Sequence, residues 1–257
     1  MNVSQRITCV VLVLLSFVAC KENKEKELDE APMAEEIIQP APILVFTKTV
    51  GYRHESIEKG VATLQDLGTE HNFSVVQTED ASNFNTEFLQ DFEMIIFLST
   101  TLDVLDSEQE RAFKAYINNG GNFMGIHAAT DTEYDWPWYG QLVGGYFKSH
   151  PDQQEATINV ITTEHAATKH LDATWTHFDE WYNFKELNPN IQVLLQLDES
   201  SYTGGENGDF HPIAWYHEFD GGRSFYTGLG HTQEAYDDVK FRTHLVGGID
   251  YCLGRDQ

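Results

Sequence analysis

Residues Gly125-Ile126-His127-Ala128-Ala129-Thr130-Asp131 follow the apolar run Asn122 to Ile126 and place an imidazole at a strand-to-helix turn. The carboxyl end of a buried strand is where open α/β sheets collect ligands and chemistry. In the nucleophile-elbow version of such a turn, a Ser or Cys sits between small residues that let the chain bend sharply. Here the centre is His127. A histidine can be a general base, a proton donor or a metal ligand, but it is a poor substitute for the thiolate that acyl transfer requires. The pattern suggests a hydrolase-like scaffold with different chemistry.

Two further histidines stand at comparable positions: His54 in Gly51-Tyr52-Arg53-His54 and His231 in Gly228-Leu229-Gly230-His231, each just beyond an apolar run. If those runs are parallel strands, all three side chains emerge on one carboxyl edge, where imidazoles and carboxylates make a candidate active site. Asp131, four residues after His127 on the emerging helix, could hold the ring's tautomer or share a metal, or could merely stabilise the helix N-terminus. Asp135-Trp136-Pro137-Trp138-Tyr139 reads as an aromatic shelf suited to the apolar faces of sugar rings, with core packing as the competing reading. His150 lines that region or simply turns the chain. Asp179-Glu180-Trp181-Tyr182 sets adjacent carboxylates beside aromatics; these point in different directions in a strand, so one is an acid or base and the other structural. His211 is a better pocket candidate than His217, whereas His71, His165, His170, His177 and His244 have no comparable context.

The elements that would position these groups are legible as α/β. Ile43 to Thr47 opens the domain as a strand, and Ile57 to Leu67 is a helix stopped by Gly68. Phe73 to Val76, Met94 to Leu98 and Asn122 to Ile126 follow as strands. A helix begins at a Ser107/Glu110 capping box and ends at Asn119-Gly120-Gly121. This rhythm predicts a doubly wound, mostly parallel sheet with helices on both faces. Beyond Pro151, Ala156 to Ile161, Ile191 to Leu197, Ile213 to Phe219 and Arg223 to Leu229 alternate. A hairpin at Asp220-Gly221-Gly222 adds antiparallel strands before a helix from Val239 to Leu253.

The N-terminus reads as an export address. Arg6 precedes a short apolar stretch, Cys9 to Ala19, and Phe17-Val18-Ala19-Cys20 resembles a bacterial lipobox with Phe where Leu is usual. Residues 1–19 are thus expected to be a signal peptide, Cys20 a lipidated residue anchoring the chain at the cell envelope, and 20–42 a polar tether. The remainder, 43–254, is roughly 215 residues, the size of one large domain. Cys252 is the only cysteine in it, so it has no intrachain disulfide framework. With 41 acidic against 16 basic residues and a net charge of −25, nucleic acid and anionic membrane surfaces are unsuitable partners, leaving the lipid anchor as the expected membrane contact.

Six ordered motifs carry a family resemblance: Gly51-Tyr52-Arg53-His54, Gly125 to Thr132, Tyr134 to Tyr139, Asp179 to Phe184, His211-Pro212-Ile213-Ala214-Trp215 and Gly228-Leu229-Gly230-His231-Thr232. Together they resemble the ThuA-like, or trehalose-utilisation, family over Ile43 to Gly254. The resemblance implies a flavodoxin-like scaffold similar to class I glutamine amidotransferases, with the amidotransferase cysteine absent. It further implies disaccharide or glycoside catabolism beside a partner oxidoreductase that makes 3-keto sugars, and it adds Arg53 and Asp179 to the substrate-binding candidates. A ketone at C3 acidifies the C2 proton, so a base can abstract it and the enolate can expel the glycosidic oxygen from C1. A divalent ion, or cationic and backbone donors, must stabilise the enolate. His54, His127 and His231 could be metal ligands completed by Asp131, Glu55 or Glu180; alternatively His127 is the base without a metal. No compact ligand motif of the His-Glu-x-x-His kind decides between them. Hydrolysis and isomerisation are alternatives to elimination, and a sugar-binding lipoprotein or an interaction module are alternatives to an enzyme. Binding alone would leave the titratable groups along one edge unexplained. An interaction module would need an exposed apolar patch that the sequence does not identify.

Overall fold

The computed structural model describes residues 39–255. The expected signal segment and the lipidated Cys20 lie outside the described residues. Four strands, β1 (Ala41–Phe46), β2 (Phe73–Thr78), β3 (Met94–Leu98) and β4 (Asn122–Ile126), pair in parallel in the order β2-β1-β3-β4. β1 begins at Ala41, so the last two residues assigned to the tether pair with β2 instead. All five residues of β3 are buried, as a strand covered on both faces requires.

Helices α1 (Ile57–His71), α2 (Thr86–Leu89) and α3 (Ser107–Asn118) occupy the connections. α1 runs through Gly68 and closes at Asn72, which takes a φ of 55°. Gly68 is needed for packing rather than for stopping the helix: a Cβ there would lie 2.5 Å from the Phe73 carbonyl oxygen. The capping box of α3 falls one residue before its expected place. The Asp106 carboxylate accepts the Glu108 and Gln109 N–H groups while the Gln109 side chain accepts from the Asp106 N–H.

The fifth parallel strand, β11 (Gly222–Thr227), lies beside β4 and completes a flavodoxin-like order. It is reached from β10 (Pro212–Phe219) through a hairpin in which Asp220 and Gly221 have φ of 52° and 105°, the backbone that a two-residue turn demands. Beyond β10 the sheet continues antiparallel through β9 (Gln192–Leu197), β6 (Gln154–Val160) and β7 (Thr174–Asp179), giving nine strands; β5 (Tyr146–Ser149) pairs separately with β8 (Asn183–Lys185). Helices cover both faces. Ser224 of β11 donates its hydroxyl to Leu142 of α4 (Pro137–Val143), whereas the adjacent Phe225, pointing the other way, packs on His244 of α5 (Val239–Cys252).

Candidate active site

Because β1, β4 and β11 run parallel, the loops that follow them open on the same edge of the sheet. His54, His127 and His231 meet there, with ring centroids 4.8 Å (His54–His127), 5.0 Å (His127–His231) and 5.1 Å (His54–His231) apart. His127 sits at a φ of 51°, a backbone that costs a non-glycine residue energy and that an elbow imposes. The bend is tight: a Cβ on Gly125 would lie 2.9 Å from that of Ala129. The Tyr226 hydroxyl secures the bend by donating to the His127 carbonyl at 2.8 Å.

The chain does not enter an α-helix after His127. It makes a single 3-10 turn, His127–Thr130, and the next helix begins at Pro137. Helical i,i+4 spacing therefore does not relate Asp131 to His127. Asp131 reaches the site from the far side of the turn, where its Oδ1 accepts the Tyr134 hydroxyl at 2.5 Å and burial pushes its carboxyl above the usual range.

Local contacts fix the protons. The His127 ring is fully buried and its Nδ1 lies 3.0 Å from the Gly228 carbonyl, so Nδ1 carries the hydrogen and Nε2 presents a lone pair. That Nε2 faces His231 Nδ1 at 3.1 Å. Glu180 Oε2 lies 3.1 Å from His231 Nδ1 and 3.5 Å from His127 Nε2, and Oε1 lies 3.2 Å from His150 Nδ1. Burial alone would raise the Glu180 carboxyl, but its contacts with the His127 and His231 rings outweigh it and hold the group well below the usual carboxylate range. Burial, reinforced by the neighbouring imidazoles, pushes His54 down to about 2, which keeps it neutral.

Asp179 has a supporting role. Its Oδ2 accepts the Gly230 N–H at 2.7 Å and its Oδ1 accepts the N–H groups of His231 and Glu180 at 3.0 and 2.9 Å, so one buried carboxylate locks the His231 turn to the strand that presents Glu180. Three strands separate β7 from β11 in the sheet order, so the loop that follows β11 makes this contact between strands that are not neighbours.

The cluster opens into a cavity of about 330 Å³ lined by Tyr52, His54, Asp131, Phe147, His150, Gln153, Glu180, Tyr182 and His231. Hollows of about 410 and 540 Å³ near Tyr116 and Gly221 hold no such cluster. The expected Trp136 to Tyr139 shelf is not beside it. Trp136 and Trp138 stack on each other at 4.9 Å and pack against Phe113, and Trp138 Nε1 donates to Asp220 at the opposite edge of the sheet. Tyr139 is fully buried, its hydroxyl donating to the Ala129 carbonyl at 2.7 Å. These flat rings fill space between α3 and the sheet; the aromatic wall is made instead by Tyr52, Phe147 and Tyr182, of which Tyr52 and Tyr182 stand beside Arg53 and the Asp179-Glu180 pair in the sequence.

His211 also stands away from the cavity. It bridges Glu199 at 2.7 Å and the Tyr182 carbonyl at 2.8 Å, and so supports the wall from behind. Arg53 pairs with Glu58 and Glu79 at 2.7 and 2.8 Å, outside the lining. Glu55 lines an adjacent hollow with Tyr52, Gln153 and His231 rather than joining the cluster. Gln153, whose Nε2 lies 2.7 Å from His231 Nε2, had no signal in the sequence.

The comparisons agree with this architecture. A structure of a putative ThuA-like protein from Bacteroides uniformis superposes with a TM-score of 0.73 at 24% identity, covering 88% of this chain and 97% of that one. A second, from Parabacteroides merdae, gives 0.70 at 23% identity over 85% and 92%. A β-galactosidase from Bacillus circulans matches with a TM-score of 0.56 at 10% identity, over 83% of this chain but 31% of that one, a likeness of fold alone. No curated protein matches. The ThuA family model, described as trehalose utilisation, matches residues 42–252, and this chain belongs to that family.

Proposed function

We propose that the chain is an enzyme of carbohydrate catabolism that cleaves 3-keto disaccharides or related glycosides by elimination, working at the cell envelope as a protein lipidated at Cys20. The observation that supports it is the meeting of His54, His127, His231, Glu180, His150 and Asp131 around one cavity in a member of a trehalose-utilisation family. A sugar-binding site needs aromatic faces and hydrogen-bonding groups; it does not need an ionised carboxylate held among imidazoles.

His150 is the residue best placed to take the C2 proton. Its Nδ1 is 2.9 Å from the Pro151 carbonyl and 3.2 Å from Glu180, so that nitrogen donates and leaves Nε2 as the acceptor. His127 is less suited to this task because it is fully buried behind Glu180 and His231. Removal of the C2 proton leaves an enolate across C2 and C3; its electrons form the C1–C2 double bond as the C1–O bond breaks. Asp131, raised by burial, is the carboxyl better suited to carry the proton that the departing oxygen takes up. The products are an unsaturated 3-keto sugar and the released alcohol or sugar, whose masses sum to that of the substrate.

The test is mass spectrometry on the full-length protein with a panel of 3-keto and unoxidised disaccharides. Turnover is expected with the 3-keto forms alone, and His150→Ala should lower it by roughly 10²–10⁴-fold without disturbing the fold. Binding without turnover across the panel would make the chain a sugar-binding protein.

A further inference from the structure

We propose that His54, His127, Glu180 and His231 form a binding site for a divalent first-row transition-metal ion. One ligating atom from each residue lies within 4.8 Å of all the others. The contacts among three of them have the size of a coordination polyhedron: His127 Nε2 to His231 Nδ1 is 3.1 Å, His231 Nδ1 to Glu180 Oε2 is 3.1 Å, and His127 Nε2 to Glu180 Oε2 is 3.5 Å. Donors about 2.0–2.1 Å from one ion are separated by ~3.0 Å at octahedral and ~3.4 Å at tetrahedral angles. The three atoms therefore need little movement to share a cation.

The protonation pattern suits the same occupant. His127 gives its Nδ1 hydrogen to the Gly228 carbonyl, which fixes the tautomer whose Nε2 lone pair faces the cluster, the support that metal-bound histidines usually have. His231 has Nδ1 toward the cluster and Nε2 toward Gln153. With an ion on Nδ1, Nε2 carries the hydrogen and donates to the side-chain oxygen of Gln153, a half-turn of the amide that keeps the contact. A proton on His231 Nδ1 would satisfy Glu180 and His127, but it leaves His54 unused. His54 is 3% exposed, and its Nδ1 is buried without a hydrogen-bond partner. A cation engages all four side chains.

With the three imidazoles deprotonated, as metal ligation requires, the donor set and its one carboxylate carry a charge of −1, which suits a divalent ion. Nitrogen-rich donors favour Zn²⁺, Co²⁺, Ni²⁺ or Fe²⁺ over Mg²⁺ and Ca²⁺, which prefer oxygen. His54, Glu180 and His231 also line the cavity, so a further coordination position faces the space where a ligand enters. Asp179, by clamping Gly230, His231 and Glu180, holds two of the ligands in register. The site rests on its donor geometry and stands whether or not the cavity processes a sugar.

Elemental analysis and cobalt spectroscopy test it on the full-length protein purified in detergent. After chelator treatment and reloading with Zn²⁺ or Co²⁺, about one ion per chain is expected to remain through desalting, none with Mg²⁺, and the Co²⁺ form should show visible ligand-field bands. Glu180→Gln and His231→Gln, checked for fold by circular dichroism, should each weaken binding at least about tenfold. His217→Asn, outside the cluster, should bind normally. Wild-type protein that holds less than about a tenth of an ion and shows no cobalt bands would overturn the assignment, as would unchanged binding in both cluster variants. The wild-type measurements decide the matter even if a variant fails to fold.

Discussion

Glu133 is buried in the loop beyond the His127 turn, where its Oε1 accepts the Val104 and Leu105 N–H groups at 2.9 and 2.8 Å and its Oε2 has no hydrogen-bond partner. Burial pushes its carboxyl up to about 7, against the pull of those two N–H groups. A carboxyl with a folded-state pKa above its unfolded value takes up a proton on folding, so its contribution to stability is complete below about pH 4.5 and is lost as the pH rises through about 7. Glu133→Gln keeps the oxygen that caps the loop and removes the titration. Urea unfolding from pH 5 to pH 8 should show the variant gaining on the wild type by about 2 kcal/mol across that range. A constant difference between the two proteins would show that Glu133 does not titrate there. Strain and burial at single residues were hard to read in advance: the positive φ of His127 follows from an elbow pattern, whereas that of Glu133, at 54°, has no such marker.

At the scale of elements, α4 separates what its aromatic residues look suited for from what they do. Pro137 starts the helix, and Trp136 and Trp138 pack on Phe113 rather than on the cavity. Trp138→Ala should therefore lower stability by about 2 kcal/mol, less than the ~3–5 of a fully buried aromatic, while turnover and KM stay within about twofold of wild type. A large rise in KM with stability unchanged would return Trp138 to the substrate site. An exposed sugar platform and a core-filling pair demand the same flat, rigid rings, so composition does not separate them. The strand-end histidines were readable because parallel strands send their following loops to a common edge. Glu180 was readable only as one of two adjacent carboxylates. Its partner in space depends on β7, a strand whose residues, Thr174–Asp179, alternate exposed and buried, but whose buried face carries His177 and Asp179 while Phe178 is exposed, so hydrophobicity does not reveal it. The single 3-10 turn after His127 was likewise concealed, since the small residues Ala128 and Ala129 suit a helix start equally well.

Across the whole molecule, the cavity is shared between the parallel half, which supplies His54, Asp131 and His231, and the later antiparallel half, which supplies Glu180 and Tyr182. Joining the halves depends on contacts such as those of Asp179 with the Gly230 and His231 N–H groups, which are long-range and which local patterns do not encode. Attachment to the envelope is a separate matter, and the net charge of −25 makes electrostatic adhesion to an anionic bilayer unfavourable. Among the described residues no helix is long and apolar enough to cross a membrane. The proposed attachment is covalent, through Cys20, because a short apolar segment ends in Phe17-Val18-Ala19-Cys20. Cell fractionation of wild type and Cys20→Ala tests it directly. The wild type should sediment with membranes through a high-salt wash, because acyl chains hold by burying apolar surface that salt does not screen. Cys20→Ala should move to the soluble fraction or accumulate as an unprocessed precursor. Released protein should keep its metal content and its turnover, since the cluster and cavity lie within the described domain. Membrane association and processing that are unchanged in Cys20→Ala would remove the lipid anchor and leave the catalytic proposal untouched.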